Sequence, residues 1–377
     1  MEDIIPELIK FRRHLHQYPE LSSQERKSSA FILKSVKSCD PDQIVEFDNY
    51  GIAVIFKGKI EGKNMLIRGD FDALPIEEIN DFEYKSKNEG VSHKCGHDGH
   101  AAILYGLVRH YQSNRPEKGD IILLFQPGEE TGEGAKGIVE DAKFKNINID
   151  YALALHNLPG YKKHSIIYKR GIFTAAANSM IIKLKGKTSH AGEPELGRNP
   201  AVAIAKIITE YSQLIHPDPE DRDFKLITPI YATLGERSYG VSAGHGEVHF
   251  TLRAWQNKVM SDLEERCEKL AKEIGKAHQL EVDVEWIQSF HANENDTEVV
   301  DAIEVAAKTL KLEHEEKEVP FKWGEDFGLF TSRFKGAMFG LGAGVKMPAL
   351  HNPDYDFPDE LIQTGVKMFA EIQRRLS

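Results

Sequence analysis

Three short apolar runs, at residues 64–67, 120–125 and 151–155, each lead straight into residues that carry chemistry, and this pattern limits the available folds more than any other feature. The first run opens onto Arg68-Gly69-Asp70-Phe71-Asp72, the second onto Gln126-Pro127-Gly128-Glu129-Glu130, and the third onto His156. Apolar runs of this length read as strands buried on both faces. Helical spacing over 101–111 separates the first run from the second, so strands alternate with helices and a mostly parallel sheet is expected. Ligands in such sheets collect beyond the carboxyl ends of the strands, which is where Asp72, Glu129, Glu130 and His156 fall.

A chain of 377 residues also outgrows one core, since single cores stop growing near about 250–300 residues. Over 175–287 the pattern changes to strand, helix, strand, strand, helix, strand. Met180, Ile182 and Leu184 alternate, Asn199 caps a helix with Pro200 at its first position, and Leu226, Ile230 and Leu234 suggest a second strand. Val248, Phe250, Leu252 and Ala254 alternate strictly. Cys267 recurs at helical spacing with Met260, Leu263, Leu270 and Ile274, so it reads as core. This is the ferredoxin-like order. The fold expected is therefore α/β, a mostly parallel sheet with flanking helices over 1–174 and 288–377, with an inserted α+β ferredoxin-like domain at 175–287.

Composition removes several functions. A net charge of −11 with no basic run disfavours nucleic acid and anionic membranes as partners. The acidic start Met1-Glu2-Asp3 lacks an apolar leader, and no stretch of 18 apolar residues occurs. Cys39, Cys95 and Cys267 form no paired framework, so a cytoplasmic setting is expected. His14 and His16 close the first helical segment, where solvated or packed histidines are commoner than ligands.

Cys95 is unlike the other two cysteines. In Lys94-Cys95-Gly96-His97-Asp98-Gly99-His100 it stands among histidines, an aspartate and glycines at a helix start, and His351 lies in Leu350-His351-Asn352-Pro353 near the carboxyl end. Amide hydrolysis needs a strong nucleophile, relief of charge on the carbonyl oxygen and a proton for the departing amine. Two metals and one carboxylate supply all three, because a metal lowers the pKa of bound water from 15.7 to about 7. Thiolate, imidazole and carboxylate donors suit zinc first, with manganese, cobalt or nickel as alternatives. Glu129 and Glu130, if extended, point apart and take different jobs, one on a metal and one moving the proton.

The chain resembles the M20 metallopeptidase family, in particular the amidohydrolase branch of indole-acetyl-amino-acid hydrolases, hippurate hydrolases and N-acetyl-diaminopimelate deacetylases. The resemblance runs nearly end to end, through RRHLHQYPELSSQE, RGDFDALPIEE, HKCGHDGH, QPGEE, ALHNLP, GKTSHAGEPELGRNP, GEDF and LHNPDYDF. It implies a zinc-peptidase-like catalytic domain in which Cys95, His97, Glu130, His156 and His351 bind two divalent metals with Cys95 as the bridge. It further implies that Glu129 is the general acid/base and that Asp72 orients the ligands from behind. His190 in the inserted domain matches a histidine that stabilises the oxyanion, often across a dimer. A homodimer through that domain and a small N-acyl amino acid or N-acyl amine substrate follow.

One element departs from the family pattern. Relatives usually carry Asn-Val-Ile-Pro in the inserted domain, where this chain reads Gly235-Glu236-Arg237-Ser238-Tyr239-Gly240-Val241-Ser242-Ala243-Gly244. Arg253 is the candidate partner for a substrate carboxylate. Two other readings fit some of these residues: a thiol hydrolase with Cys95 as nucleophile, and an M20-like protein that binds a ligand without turning it over.

Overall fold

The computed structural model describes residues 2–377. The chain forms two compact units, one made of residues up to Phe173 with Asn293–Glu318 and Glu325–Ser377, the other of Thr174–Ala292 with Val319–Gly324.

In the first unit an eight-stranded sheet runs in the order Gln43–Glu46, Ile52–Phe56, Ile121–Gln126, Met65–Asp70, Tyr151–Pro159, Lys335–Gly344, Ile166–Tyr168, His314–Glu316. Its four middle strands, from Ile121–Gln126 to Lys335–Gly344, are parallel, and antiparallel pairs flank them. Every residue of Ile121–Gln126 and Met65–Asp70 is buried, as expected for strands covered on both faces. The fold is thus α/β with a mixed, centrally parallel sheet.

Helix His97–Ser113 packs against helices Ile5–Gln17 and Leu361–Leu376. Its amino end is held by buried charge. Arg12 pairs with Asp98 at 3.2 Å, while His16 places Nδ1 2.8 Å from Asp98 and Nε2 3.0 Å from Glu78. His16 is therefore a packed, ion-paired histidine. Gly99 faces the buried Phe357 ring so closely that a Cβ there would lie 2.3 Å from ring atoms. Gly99→Ala should accordingly destabilise the protein by about 1–3 kcal/mol through overpacking, seen as a lower urea midpoint. An unchanged midpoint would mean that the ring yields without cost.

The second unit carries an antiparallel sheet in the order Lys225–Leu234, His245–Ala254, Ala176–Lys185, Glu281–Phe290. Helices Ala201–Ser212 and Asn257–Ala277 pack against it. Met180, Ile182, Leu184, Val248, Phe250 and Leu252 are buried, as is Cys267. The helix after Asn199 starts at Ala201, one residue later than the Pro200 position implied, and Asn199 Oδ1 accepts the Ala201 N–H at 2.9 Å. Strand Lys225–Leu234 differs more from expectation. Ile230 and Leu234 are 61% and 45% exposed, because the strand lies at the sheet edge and its register shifts between Pro229 and Tyr231. Alternation located the strand without revealing that one side of it has no neighbour.

Among the described residues no helix is long and apolar enough to cross a membrane.

Candidate metal centre

Cys95 and His97 bracket the start of helix His97–Ser113. His156 lies inside strand Tyr151–Pro159 rather than after it, and His351 sits in the loop before helix Leu361–Leu376, its backbone N–H donating to Lys94 O at 2.8 Å. These segments bring donor atoms into two groups, each within 4.8 Å: Cys95, His97 and His156, and Cys95, Glu130 and His351. Cys95 belongs to both, with its Sγ 3.5 Å from His156 Nε2.

The expectation that Glu129 and Glu130 diverge as strand residues fails. Strand Ile121–Gln126 ends before them, Gly128 turns the chain at φ +64, and Glu129–Thr131 form a 3-10 turn. A turn places neighbouring side chains on one side, so Glu129 Oε2 and Glu130 Oε1 lie 4.0 and 3.9 Å from His97 Nε2. The two carboxylates differ in surroundings instead. Glu129 is buried beside Glu325 and Asp326, and burial first, then the charges of Glu325, Glu130 and Asp326, push its pKa well up.

Asp72 hydrogen-bonds to both His97 and Glu130. Its Oδ1 accepts from His97 Nδ1 at 3.0 Å, and its Oδ2 accepts the Ser22 hydroxyl at 2.7 Å and the Glu130 N–H at 3.0 Å. With Nδ1 protonated, the bare nitrogen of His97 is Nε2, which faces the other donors. His156 is held likewise, Nδ1 donating to Asn157 O at 2.9 Å.

The donors fit divalent cations. Glu130 Oε1 and His97 Nε2 are buried without a hydrogen-bond partner among the described residues, a state that costs roughly 1–3 kcal/mol per group unless something else satisfies it. Thiolate, imidazole and carboxylate converging on these atoms are zinc-type donors, and cations held by these residues would satisfy both orphans. Burial first and then the Glu130 charge raise the Cys95 pKa, opposite to the electropositive setting that activates a nucleophilic thiol. Neighbouring Cys95 and Glu130 push His351 up to about 10.

The sequence model of peptidase family M20/M25/M40 matches residues 66–375. The chain belongs to that family. It is 33% identical to an N-acetyldiaminopimelate deacetylase of Listeria innocua over 97% of this chain and 98% of the relative. It is 32% identical to an N-acetyl-L-cysteine deacetylase of Bacillus subtilis over 98% of this chain and 88% of the relative. Among solved structures, the Bacillus subtilis YXEP protein, a dinuclear metal binding peptidase from the M20 family, superposes with a TM-score of 0.83 at 26% identity. That match covers 100% of this chain and 99% of the other.

In this M20 chain several groups around the donors escaped the sequence reading. Asp70 Oδ1 accepts from His100 Nδ1 at 2.6 Å, and His100 Nε2 accepts the Asn157 N–H at 3.2 Å. Asn157 Nδ2 donates to Cys95 O at 3.1 Å and to Tyr355 Oη at 2.7 Å. Each sits in a motif already noticed, so the available signal was a polar residue placed beside every candidate ligand. His190 and Arg253 belong to the second unit. His190 is exposed on strand Ser189–His190, its Nδ1 accepting the Gly192 N–H at 3.1 Å, and Arg253 donates to Lys322 O at 2.7 Å.

Asp72→Asn should weaken metal binding or activity by about 10- to 100-fold, the usual cost of losing an orienting partner. Competition with a chromophoric chelator reads the affinity directly, and parent affinity together with parent activity would remove Asp72 from this role.

Proposed function

We propose that this protein is a metal-dependent amidohydrolase that removes the acyl group from an N-acyl amino acid or related small N-acyl amine. The observation that carries the reading is the pair of donor groups sharing Cys95 with the buried Glu129 carboxylate beside them. Membership of the M20/M25/M40 family and the deacetylase relatives support it.

In this reading Cys95, His97, Glu130, His156 and His351 hold two divalent cations, zinc first among the candidates. Bound there, the cations would acidify a water and polarise the acyl carbonyl. Glu129 takes a proton from the attacking water at Oε2, the oxygen turned towards His97, and returns it to the departing amine. Burial first, then the charges of Glu325, Glu130 and Asp326, raise its pKa well above the usual carboxylate value and so favour the protonated form the relay passes through. Asp72 keeps His97 and Glu130 aimed. His190 donates to the carbonyl oxygen as negative charge develops, and Arg253 pairs with the substrate carboxylate. The inserted domain serves as lid and dimerisation element, a role supported by Ile230, Tyr231 and Leu234 exposed on its edge strand. The setting is cytoplasmic.

The test is turnover on a panel of acetyl, benzoyl and indole-acetyl amino acids that includes N-acetyl-diaminopimelate and N-acetylcysteine. Exhaustive chelation should abolish hydrolysis and added zinc or manganese should restore it. Unchanged turnover after metal removal would sink the metal-dependent reading. Metal-loaded protein that binds these amides without cleaving any would favour a ligand-binding protein instead.

A further inference from the structure

We propose that Asp326 is a positioning residue for Glu129, and that Arg68 ties this role to the metal-ligand end of the site. The inference rests on the reading of Glu129 as the proton carrier.

Asp326 lies 197 residues from Glu129 in sequence, yet its backbone N–H donates to Glu129 Oε1 at 3.3 Å. That bond holds one oxygen and leaves Oε2 turned towards His97 Nε2, 4.0 Å away. The N–H can hold Glu129 only if its own backbone is fixed, and the Asp326 side chain does this. Its Oδ1 accepts from Arg68 Nη2 at 2.6 Å and from Gln126 Nε2 at 2.9 Å. Its Oδ2 accepts from Gln126 Nε2 at 2.7 Å and from the Ala135 N–H at 2.9 Å. Four hydrogen bonds to one buried carboxylate, one of them from a charged guanidinium, fix Asp326 in place.

Arg68 reaches further. It is fully buried within strand Met65–Asp70, its Nε donates to Gln126 Oε1 at 2.9 Å, Nη2 lies 2.9 Å from Glu325 Oε1, and Nη1 bonds Asp70. Asp70 in turn orients His100, which receives the N–H of Asn157 next to His156. One guanidinium thus links the anchor of the proton carrier to the scaffold of a ligand histidine. Packing alone does not call for a charged side chain here, since the residues paired with Arg68 on the neighbouring strands, Leu124 and Ala154, are apolar.

The experiment is a double-mutant cycle on the metal-loaded full chain, joining Asp326→Asn with Glu129→Gln. Asparagine keeps the shape but turns an amide towards donors, which releases the backbone N–H from its place. Asp326→Asn should lower kcat on the order of 100-fold, the scale of a misplacement near 1 Å, with KM within about threefold and the metal-to-chain ratio unchanged. In the Glu129→Gln background it should cost nothing more, because a residue acting through Glu129 has nothing left to act on. A structural role would multiply the two losses instead. Gln126→Met, which removes the one donor that makes two of the four bonds at similar volume, should lower kcat in the same direction and answers the question if Asp326→Asn does not fold. Parent kcat in Asp326→Asn, multiplicative losses, or loss of metal would overturn the proposal while leaving Glu129 as proton carrier. Parent kcat in Glu129→Gln would overturn the functional reading itself and this inference with it.

Discussion

Glu129→Gln should lower kcat by about 10²- to 10⁴-fold, the contribution expected of one positioned general acid/base, while the protein stays folded and keeps its metal. The amide matches the carboxylate in shape, so its oxygen can still accept the Asp326 N–H that Glu129 Oε1 accepts now. What it cannot do is hold a proton on one step and release it on the next. Stability should be unchanged or improved, because Glu129 is buried against Glu325, Asp326 and Glu130, and removing one charge from that group relieves repulsion. This separates a catalytic loss from a structural one. Steady-state kinetics with metal analysis on the same preparation checks it, and an unchanged kcat would take Glu129 out of the mechanism.

The strands that position this site were legible because their burial is continuous. Residues 121–125 are all apolar, and no solvent-facing alternation confuses the pattern. The candidate ligands stood out because each lies beside a glycine or another polar residue. Arg68 and Asp70 were not. Both follow the apolar run at 64–67 and were given no role, and only the fold shows that Asp326, 258 residues away, neutralises Arg68 inside the core. The Glu129 and Glu130 geometry was misjudged for a local reason, since a glycine at φ +64 converts the expected extended segment into a turn. The exposed Ile230 and Leu234 show the complementary limit: side-chain period finds a strand, and sheet order decides which of its faces is covered.

Replacing Cys95 by serine is expected to be the most damaging change to metal binding, because this thiol alone belongs to both the His97–His156 group and the Glu130–His351 group. Outer partners of ligands already matter by 10- to 100-fold, so loss of a donor common to both should weaken each cation by more than about 100-fold and bring hydrolysis below detection. The fold should tolerate it. Serine is close in size, and the backbone around Cys95 is held independently by Asn157 Nδ2 on Cys95 O and by the His351 N–H on Lys94 O. His351→Ala supplies the contrast, since it removes a donor from one group only and should cost a single cation per chain. Metal-to-chain ratios after dialysis against a weak chelator separate the cases: loss of both cations in Cys95→Ser against one in His351→Ala supports a shared thiolate. Equal losses in the two variants, or parent affinity in Cys95→Ser, would mean that the thiol does not join the two groups and that the cations are held independently.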